Sequence, residues 1–205
     1  VVHLAPIGIV ALCIMCAIIP KGIDLSVGST VALVAVVSAS LAQVQSDTML
    51  LPGLPPLPIF VSILVGLLVG AIVGAIVGTL VAYFRIPPFV ATLGMMTAAR
   101  GLANIYTGGR PVSNLADGFN WLGQGAILGI PVPMIIFLLV AVVIWVVLNR
   151  TRFGRHTYAI GGNEQAARVS GISIGKVQFM IYTLIGILAG LAGMILAARI
   201  GSGQP

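Results

Sequence analysis

The sequence predicts an all-α fold: a polytopic bundle of transmembrane helices forming a single domain over residues 1–205. Hydrophobic residues make up 59% of the chain, charged residues only 7%, and the mean hydropathy is +1.17. Soluble domains carry about 25% charged residues, so this chain cannot cover a water-facing surface and we expect the lipid bilayer to be its main solvent. The apolar residues also form long runs, and most Lys and Arg residues lie between these runs.

A helix needs about 20 mostly apolar residues to cross a bilayer. The runs that approach this length predict about six spanning helices, at residues 4–20, 26–44, 58–84, 88–106, 132–148 and 177–198. The connection at 45–57 is rich in proline, which indicates an extended segment. The connection at 107–131 is rich in Gly, Pro, Asn and Asp, and we expect a short helix near 115–122. Because the chain begins with Val rather than Met, we expect it to be part of a longer protein.

The polar connection at residues 149–176 determines the predicted orientation. It holds half of the ten Lys and Arg residues, namely Arg150, Arg152, Arg155, Arg168 and Lys176. Basic loops between spanning helices stay in the cytoplasm, so we expect this loop there. Counting spans from the loop places Lys21 and Arg85 on the same side, and Arg110 and Arg199 outside, which agrees with the same rule.

The same loop predicts a short helix of about two turns. Asn163 has N-cap chemistry, Glu164 suits the first helical turn, and Gly171 suits the position just after the helix. A short helix joined closely to two spanning helices could receive a mechanical push from a cytoplasmic protein. A solvated loop helix with no partner is the plainer interpretation. The candidate coupling residues are Gly161, Gly162, Asn163, Glu164, Ala167, Arg168 and Gly171.

The turn at residues 21–29 is the second informative stretch. Asp24 and Ser26 can both cap the helix that follows, Lys21 is a candidate ion partner of Asp24, and Ser29 keeps the helix start small and polar. A capped turn is sufficient to explain these residues. The functional alternative is a gate or lining element of a transport path. Arg100, about 18 Å along its helix from Pro88, either faces that path or snorkels outward.

Glycine and cysteine residues have mainly structural interpretations. Gly66, Gly70, Gly74 and Gly78 form one stripe on a helix, which predicts close helix packing within the subunit and, as an alternative, a subunit interface or a moving seam. Cys13 and Cys16 lie inside an apolar run, and we expect buried, inert thiols.

Several function classes are disfavoured. The segment GISIGK at residues 171–176 is one residue short of a Walker loop and lacks the Ser or Thr that follows the lysine, so we expect no ATP site and no cofactor on this chain. Four acidic residues and two histidines suggest no metal ligands and no catalytic set. The basic residues lie at segment ends without interleaved aromatic residues, which disfavours nucleic-acid binding.

Five ordered motifs carry a family resemblance. They are GIDLSVGS at 22–29, IPPFVATLGMM at 86–96 followed by Arg100, YTGGRPV at 106–112, TRFGRHTYAIGGNEQAARVSGI at 151–172 and ARIGSGQP at 198–205. Together they cover most of the chain and resemble the membrane permeases of bacterial ABC importers for ribose, galactose and xylose. Lys21 departs from the pattern, because the family usually has a small residue there.

The resemblance implies a multi-pass protein of the bacterial inner membrane. It implies a homo- or heterodimer of permease subunits, two cytoplasmic ATPase subunits that bind ATP and Mg²⁺, and a periplasmic sugar-binding protein. In that picture the segment from Gly161 to Gly171 is the coupling helix, and ATP-driven closure of the ATPases switches the permease between outward-open and inward-open states. Two alternatives stay open: a permease for another cargo, such as a branched-chain amino acid, and an ion-coupled carrier or channel.

Overall fold

The computed structural model describes residues 4–44, 49–51 and 57–205, and these residues form a helical bundle. The helices within this part of the chain are α1 (Leu4–Ile18), α2 (Val27–Leu41), α3 (Ile59–Ala82), α4 (Pro88–Thr107), α5 (Asp117–Gln124), α6 (Val132–Arg150), α7 (Arg152–Gly162), α8 (Glu164–Val169) and α9 (Ile174–Ile200). A small antiparallel hairpin of β1 (Ala126–Ile127) and β2 (Ile130–Pro131) precedes α6. The all-α prediction is confirmed, and the helix expected at 115–122 is α5.

All six predicted apolar runs form helices, but they differ in length and polarity. Among the described residues, α3, α6 and α9 are long and apolar enough to cross a membrane, with mean hydropathies of 2.8, 2.8 and 2.2. Helices α1 and α2 are apolar but have 15 residues each, or about 22 Å, which is shorter than the hydrocarbon core. Helix α4 has 20 residues but contains Arg100 and Asn104. Three of the six expected spans therefore have clear support, and the other three stay predictions.

Helix α9 is the centre of the bundle and packs against α1, α2, α3 and α5. Its closest neighbour is α3, because glycines on both helices allow their backbones to touch. A methyl group at Gly70 would overlap the carbonyl oxygen of Gly186, and one at Gly74 would overlap that of Tyr182. Gly66 lies against Met194, and Gly78 lies against Phe179. The predicted glycine stripe therefore lies in an α3–α9 seam within this subunit.

The helix connections gather at two ends of the bundle. At the first, which we call the basic end, residues 19–26, 83–88 and 150–174 lie together; a cleft of about 400 Å³ there is lined by Arg85, Pro88, Glu164 and Arg168. At the opposite end, the backbones of Val112 and Gly203 exchange two 2.9 Å hydrogen bonds. This grouping is the one expected if the chain crosses the bilayer back and forth. Lys21 and Arg85 share the basic end with the loop arginines, as the charge pattern predicts.

Candidate functional site

Two short helices, rather than one, form the basic loop between α6 and α9. Thr151 is the N-cap of helix α7, and its side-chain oxygen accepts a hydrogen bond from the Gly154 N–H at 3.2 Å. Its buried residues Gly154, Thr157 and Ile160 recur at a spacing of three, so this face packs on the bundle while the opposite face is exposed. Helix α7 was not predicted from the sequence. An N-cap threonine followed by that helical spacing was the signal for it.

Helix α8 is capped at both ends by residues that flank it in the chain. The Asn163 side-chain oxygen accepts a hydrogen bond from the Ala166 N–H at 3.1 Å, as an N-cap does. At the other end Gly171 adopts φ +80, and the Ile172 N–H donates to the Ala167 carbonyl at 3.0 Å. This is the Schellman arrangement, which favours glycine at the left-handed position. Both caps agree with the sequence prediction and hold α8 in one orientation.

The seven candidate coupling residues point in two directions. Ala167 is 3% exposed and belongs to the core of this chain. Gly161 lies against the backbone of Ile19 and Pro20, where a methyl group would overlap the Ile19 carbonyl oxygen. These two residues therefore hold the loop to its own bundle. The exposed members are Gly162, Asn163, Glu164, Arg168 and Gly171.

Apolar and charged side chains share the outer surface of α7 and α8. Glu164 and Arg168 form an ion pair of 3.0 Å one turn apart, with both side chains more than half exposed. Val169 is 89% exposed and Tyr158 is 47% exposed. These two apolar residues could not be identified from the sequence, because only the fold shows that they face away from the bundle. We call the exposed surface formed by Tyr158, Glu164, Arg168 and Val169 the loop surface.

The loop contacts the turn between α1 and α2 directly. Besides the Gly161 contact, the Lys21 ammonium donates a hydrogen bond to the Gly162 carbonyl at 3.5 Å. The predicted ion pair between Lys21 and Asp24 is therefore wrong, because Lys21 is directed to the loop. Lys21 also adopts φ 63, a backbone conformation that favours glycine. The turn at the start of α2 thus has a physical connection to the start of α8.

Asp24 organises the turn that Lys21 begins. Its carboxylate accepts hydrogen bonds from the Ser26 N–H at 2.8 Å and the Ser26 hydroxyl at 2.6 Å. Burial raises the pKa of the Asp24 carboxyl, and the two bonds from Ser26 oppose that shift. Ser26 occupies the N-cap position of α2, but its side chain makes no capping hydrogen bond because it is bound to Asp24. Ser26 therefore holds the N-cap position without the expected side-chain hydrogen bond, and the turn is held by Asp24 instead.

The four candidate path residues do not surround one opening. Ser26 is 3% exposed and Ser29 is 5% exposed, because α2 is packed among α3, α4 and α9. Arg100 is exposed and lines a cavity of about 210 Å³ together with Gly28 and Ala35 of α2. The structure therefore brings Arg100 to an open surface beside α2, while the two serines lie inside the bundle.

Comparisons with known proteins extend over the whole chain. Residues 1–205 match the family described as "Branched-chain amino acid transport system / permease component". The chain is 46% identical over 200 residues to the ribose import permease protein of Bacillus subtilis, a match that covers 97% of this chain and 59% of that relative. It is 41% identical over 192 residues to the ribose import permease protein of Escherichia coli K12, covering 92% of this chain and 56% of that relative. It is 39% identical over 202 residues to the galactose/methyl galactoside import permease protein of Escherichia coli K12, covering 95% of this chain and 60% of that relative.

The chain thus spans somewhat more than half the length of the curated relatives that it matches. No solved structure gave a significant match. Both kinds of relative named above are import permeases for simple sugars, which agrees with the resemblance seen in the motifs.

Proposed function

Because the chain belongs to the permease-component family described for branched-chain amino acid transport systems, we propose that it is the transmembrane permease subunit of an ABC importer for a monosaccharide. In this proposal a periplasmic binding protein delivers the sugar, and ATP-driven alternating access moves it into the cytoplasm. The observation that carries the proposal is the similarity over 97% of the chain to a ribose import permease. In this proposal ATP hydrolysis takes place on a separate partner subunit, and the relatives are named as import permease proteins.

The loop surface is the proposed docking site for a separate cytoplasmic ATPase. It lies at the end of the bundle that is richest in Arg and Lys, which the positive-inside rule assigns to the cytoplasm of a bacterial inner membrane. Helix α8 is capped at both ends and held to the bundle by Ala167 and Gly161, so force applied to its exposed side reaches the bundle. Val169 offers an apolar contact for a pocket on the partner. In this proposal ATP and Mg²⁺ bind to the partner only.

The α1–α2 turn is the proposed route from the loop into the bundle. A push on α8 would reach Ile19 and Pro20 through Gly161, and reach Lys21 through the Gly162 carbonyl. Asp24 then links the turn to the first residues of α2. The opposite end, with a cavity of about 930 Å³ lined by Arg110, Gln43 and Asn114, is the proposed side for the binding protein. A second permease subunit, identical or different, completes the proposed assembly.

The test uses the full-length permease co-expressed with its candidate ATPase and binding protein. We expect Val169→Asp, or charge reversal by Glu164→Lys, to abolish sugar uptake and to reduce co-purification of the ATPase about tenfold or more, as the loss of a buried interface contact does. The matched control is Leu128→Asp. Leu128 is 98% exposed at the tip of the hairpin at the opposite end, so this change should leave ATPase co-purification intact. If ATPase association survives both loop changes, the docking assignment is wrong.

The cargo is tested separately on the binding protein. The names of the relatives favour a simple sugar over a branched-chain amino acid, although the family description mentions the latter. We expect D-ribose or D-galactose to raise the melting temperature of the purified binding protein, whereas leucine and valine should leave it unchanged. Stabilisation by leucine or valine instead would identify an amino-acid importer with the same architecture. Uptake that needs an ion gradient and no ATP would identify a carrier.

A further inference from the structure

One helix of the bundle presents polar side chains where the bilayer would be. Thr97, Arg100 and Asn104 of α4 are spaced three and four residues apart and are all exposed. They therefore form one edge of the helix, about 10 Å long. We call these three residues the polar edge. Ala98 and Leu102 are also exposed, but they lie about 100° or more away around the helix and form an apolar edge at the same depth.

Arg100 has no partner for its charge among the residues that the structure describes. Within residues 4–44, 49–51 and 57–205, its guanidinium makes no hydrogen bond and no ion pair. It lies about 18 Å from the start of α4 and about 10 Å from its end, a depth at which a charge cannot face hydrocarbon without a large cost. Its five N–H donors therefore require water, a polar solute or another protein group.

A second copy of this sequence cannot supply a carboxylate at that depth. The four acidic residues of the chain, Asp24, Asp47, Asp117 and Glu164, all lie in connections between the apolar runs. An Arg–carboxylate pair between the given residues of two copies is therefore disfavoured at mid-membrane. Among these residues, no group replaces water or a polar solute as the surroundings of the Arg100 guanidinium.

The space beside Arg100 is open along the helix. The cavity of about 210 Å³ extends from Gly28, in the first turn of α2, past Ala35 and Arg100 to Gln204 near the opposite end. Gly101 follows Arg100 directly, and a methyl group there would meet nothing within 4 Å. The Asn104 amide donates to the Arg100 carbonyl at 2.9 Å, which leaves its side-chain oxygen as an acceptor. The edge thus offers donors and acceptors but no acidic group.

We propose that the polar edge of α4 lines the water-filled passage and that Arg100 and Asn104 hydrogen-bond the hydroxyl groups of a neutral polyhydroxylated cargo. This assignment rests on the proposed function and identifies which face of α4 would contact the cargo. The apolar edge, with Ala98 and Leu102, faces lipid or a neighbouring helix. Ser26 and Ser29 do not belong to the passage, because they are buried inside the bundle.

Cysteine accessibility tests the assignment in the full-length permease assembled with its ATPase in lipid vesicles. The variants are Thr97→Cys and Asn104→Cys on the polar edge and, as controls matched in depth and exposure, Ala98→Cys and Leu102→Cys on the apolar edge. Cys13 and Cys16 are buried at 0% and 2% exposure, and both are replaced by Ala to give a clean background. The probe is a charged, membrane-impermeant methanethiosulfonate reagent.

We expect the polar-edge thiols to react at least roughly tenfold faster, because a thiol pKa raised by ~1 unit in hydrocarbon already reduces the reactive thiolate by that factor. Saturating D-ribose together with the binding protein should slow the reaction at Thr97→Cys and Asn104→Cys only. Equal rates on both edges would overturn the proposal. No reaction at any of the four positions would also overturn it and would indicate that the polar edge is a protein–protein interface.

A transport measurement separates this proposal from the proposed function. We expect Arg100→Gln to lower sugar uptake at least about tenfold, the loss expected for one charged hydrogen-bond donor, while ATPase co-purification stays unchanged. Normal uptake by Arg100→Gln would overturn the role of Arg100. If the wild-type permease fails to bind an ATPase, the proposed function fails, yet the accessibility pattern still reports whether α4 has a wet edge.

Discussion

The α3–α9 seam and the α7–α8 loop are both rich in glycine, but glycine has a different structural role in each. In the seam, Gly70 and Gly186 allow two long helices to touch backbone to backbone over several turns. In the loop, Gly161 permits one close contact with the α1–α2 turn, and Gly171 provides a left-handed backbone at the end of α8. The seam is therefore continuous packing, whereas the loop is held by a few separate contacts.

Because of this difference, we expect substitutions in the two regions to have different effects. Close backbone contact along the seam gives dispersion attraction over many atoms. We therefore expect the seam to contribute strongly to the stability of the bundle. The loop has exposed helices and few anchors, which is typical of regions that move or bind partners. Substitutions in the seam should therefore unfold the protein, and substitutions in the loop should change coupling while the fold survives.

The largest effect is expected in the seam. Gly74→Val would place a branched side chain against the Tyr182 carbonyl and the Gly186 backbone, where no flexible group can yield. We expect a loss of about 3 kcal/mol or more of folding free energy, at the upper end for overpacked sites. The measurement is the melting temperature of the detergent-solubilised permease. Gly94→Val on α4, where the added carbon meets nothing within 4 Å, is the control and should melt near the wild type.

A smaller and different effect is expected at the contact between the loop and the turn. Gly161→Val would displace the loop from Ile19, while Gly162→Val points into open space. We expect Gly161→Val to reduce sugar uptake per ATP hydrolysed at least about fivefold, corresponding to about 1 kcal/mol of lost coupling. ATPase co-purification should persist for both variants. Equal uptake by the two would show that the turn does not receive the motion of the loop.

The N-cap of α8 should have a moderate effect. Asn163→Ala removes the acceptor for the Ala166 N–H and should cost about 1 kcal/mol of local helix stability. Hydrogen–deuterium exchange of residues 164–169 should then accelerate roughly fivefold, while exchange in α9 stays unchanged. Asn163→Asp restores an acceptor and should restore protection. Protection that survives Asn163→Ala would mean that other contacts hold α8 in place.

The smallest effect is expected for the ion pair on the loop surface. Glu164 and Arg168 are both largely exposed, and an exposed pair one turn apart contributes only about 0.3–0.5 kcal/mol. Glu164→Gln should therefore leave the melting temperature within about 1 °C of the wild type in 0.15 M salt. Arg168→Gln is the matched removal of the other partner and should behave alike. A clear fall in stability for either variant would contradict the assignment of this pair to the surface.

The sequence could predict the apolar helices and the grouping of their ends, because both follow from local patterns. Apolar runs form helices wherever the bilayer removes water from the backbone, and the basic residues mark one side. Asn163 and Gly171 could also be placed, since caps depend on residues adjacent in the chain. The helix-spanning status of α1, α2 and α4 could not be decided, since run lengths overestimated the lengths of the first two helices.

The direction of side chains could not be predicted, because it depends on contacts between distant segments. Ala167 was an expected docking residue, yet it faces the core because α8 lies flat on its own bundle. Lys21 was paired with Asp24 by proximity, yet it reaches Gly162, 141 residues away in sequence. Val169 was overlooked, since a lone valine in a polar segment has no distinguishing pattern. Each of these depends on how α7 and α8 settle against the α1–α2 turn.

Helix α9 is about 40 Å long, and only four residues separate its start from the end of α8. Its far end meets α5, where Gln124 donates hydrogen bonds to the Ala198 and Arg199 carbonyls. A single long helix that contacts both ends of the bundle can transmit a displacement from either end to the other. In the proposed importer, nucleotide binding at the basic end that tilts α9 would change the affinity for a binding protein at the opposite end. The binding protein would then change the nucleotide affinity by the same factor, because linkage between two equilibrium sites is reciprocal.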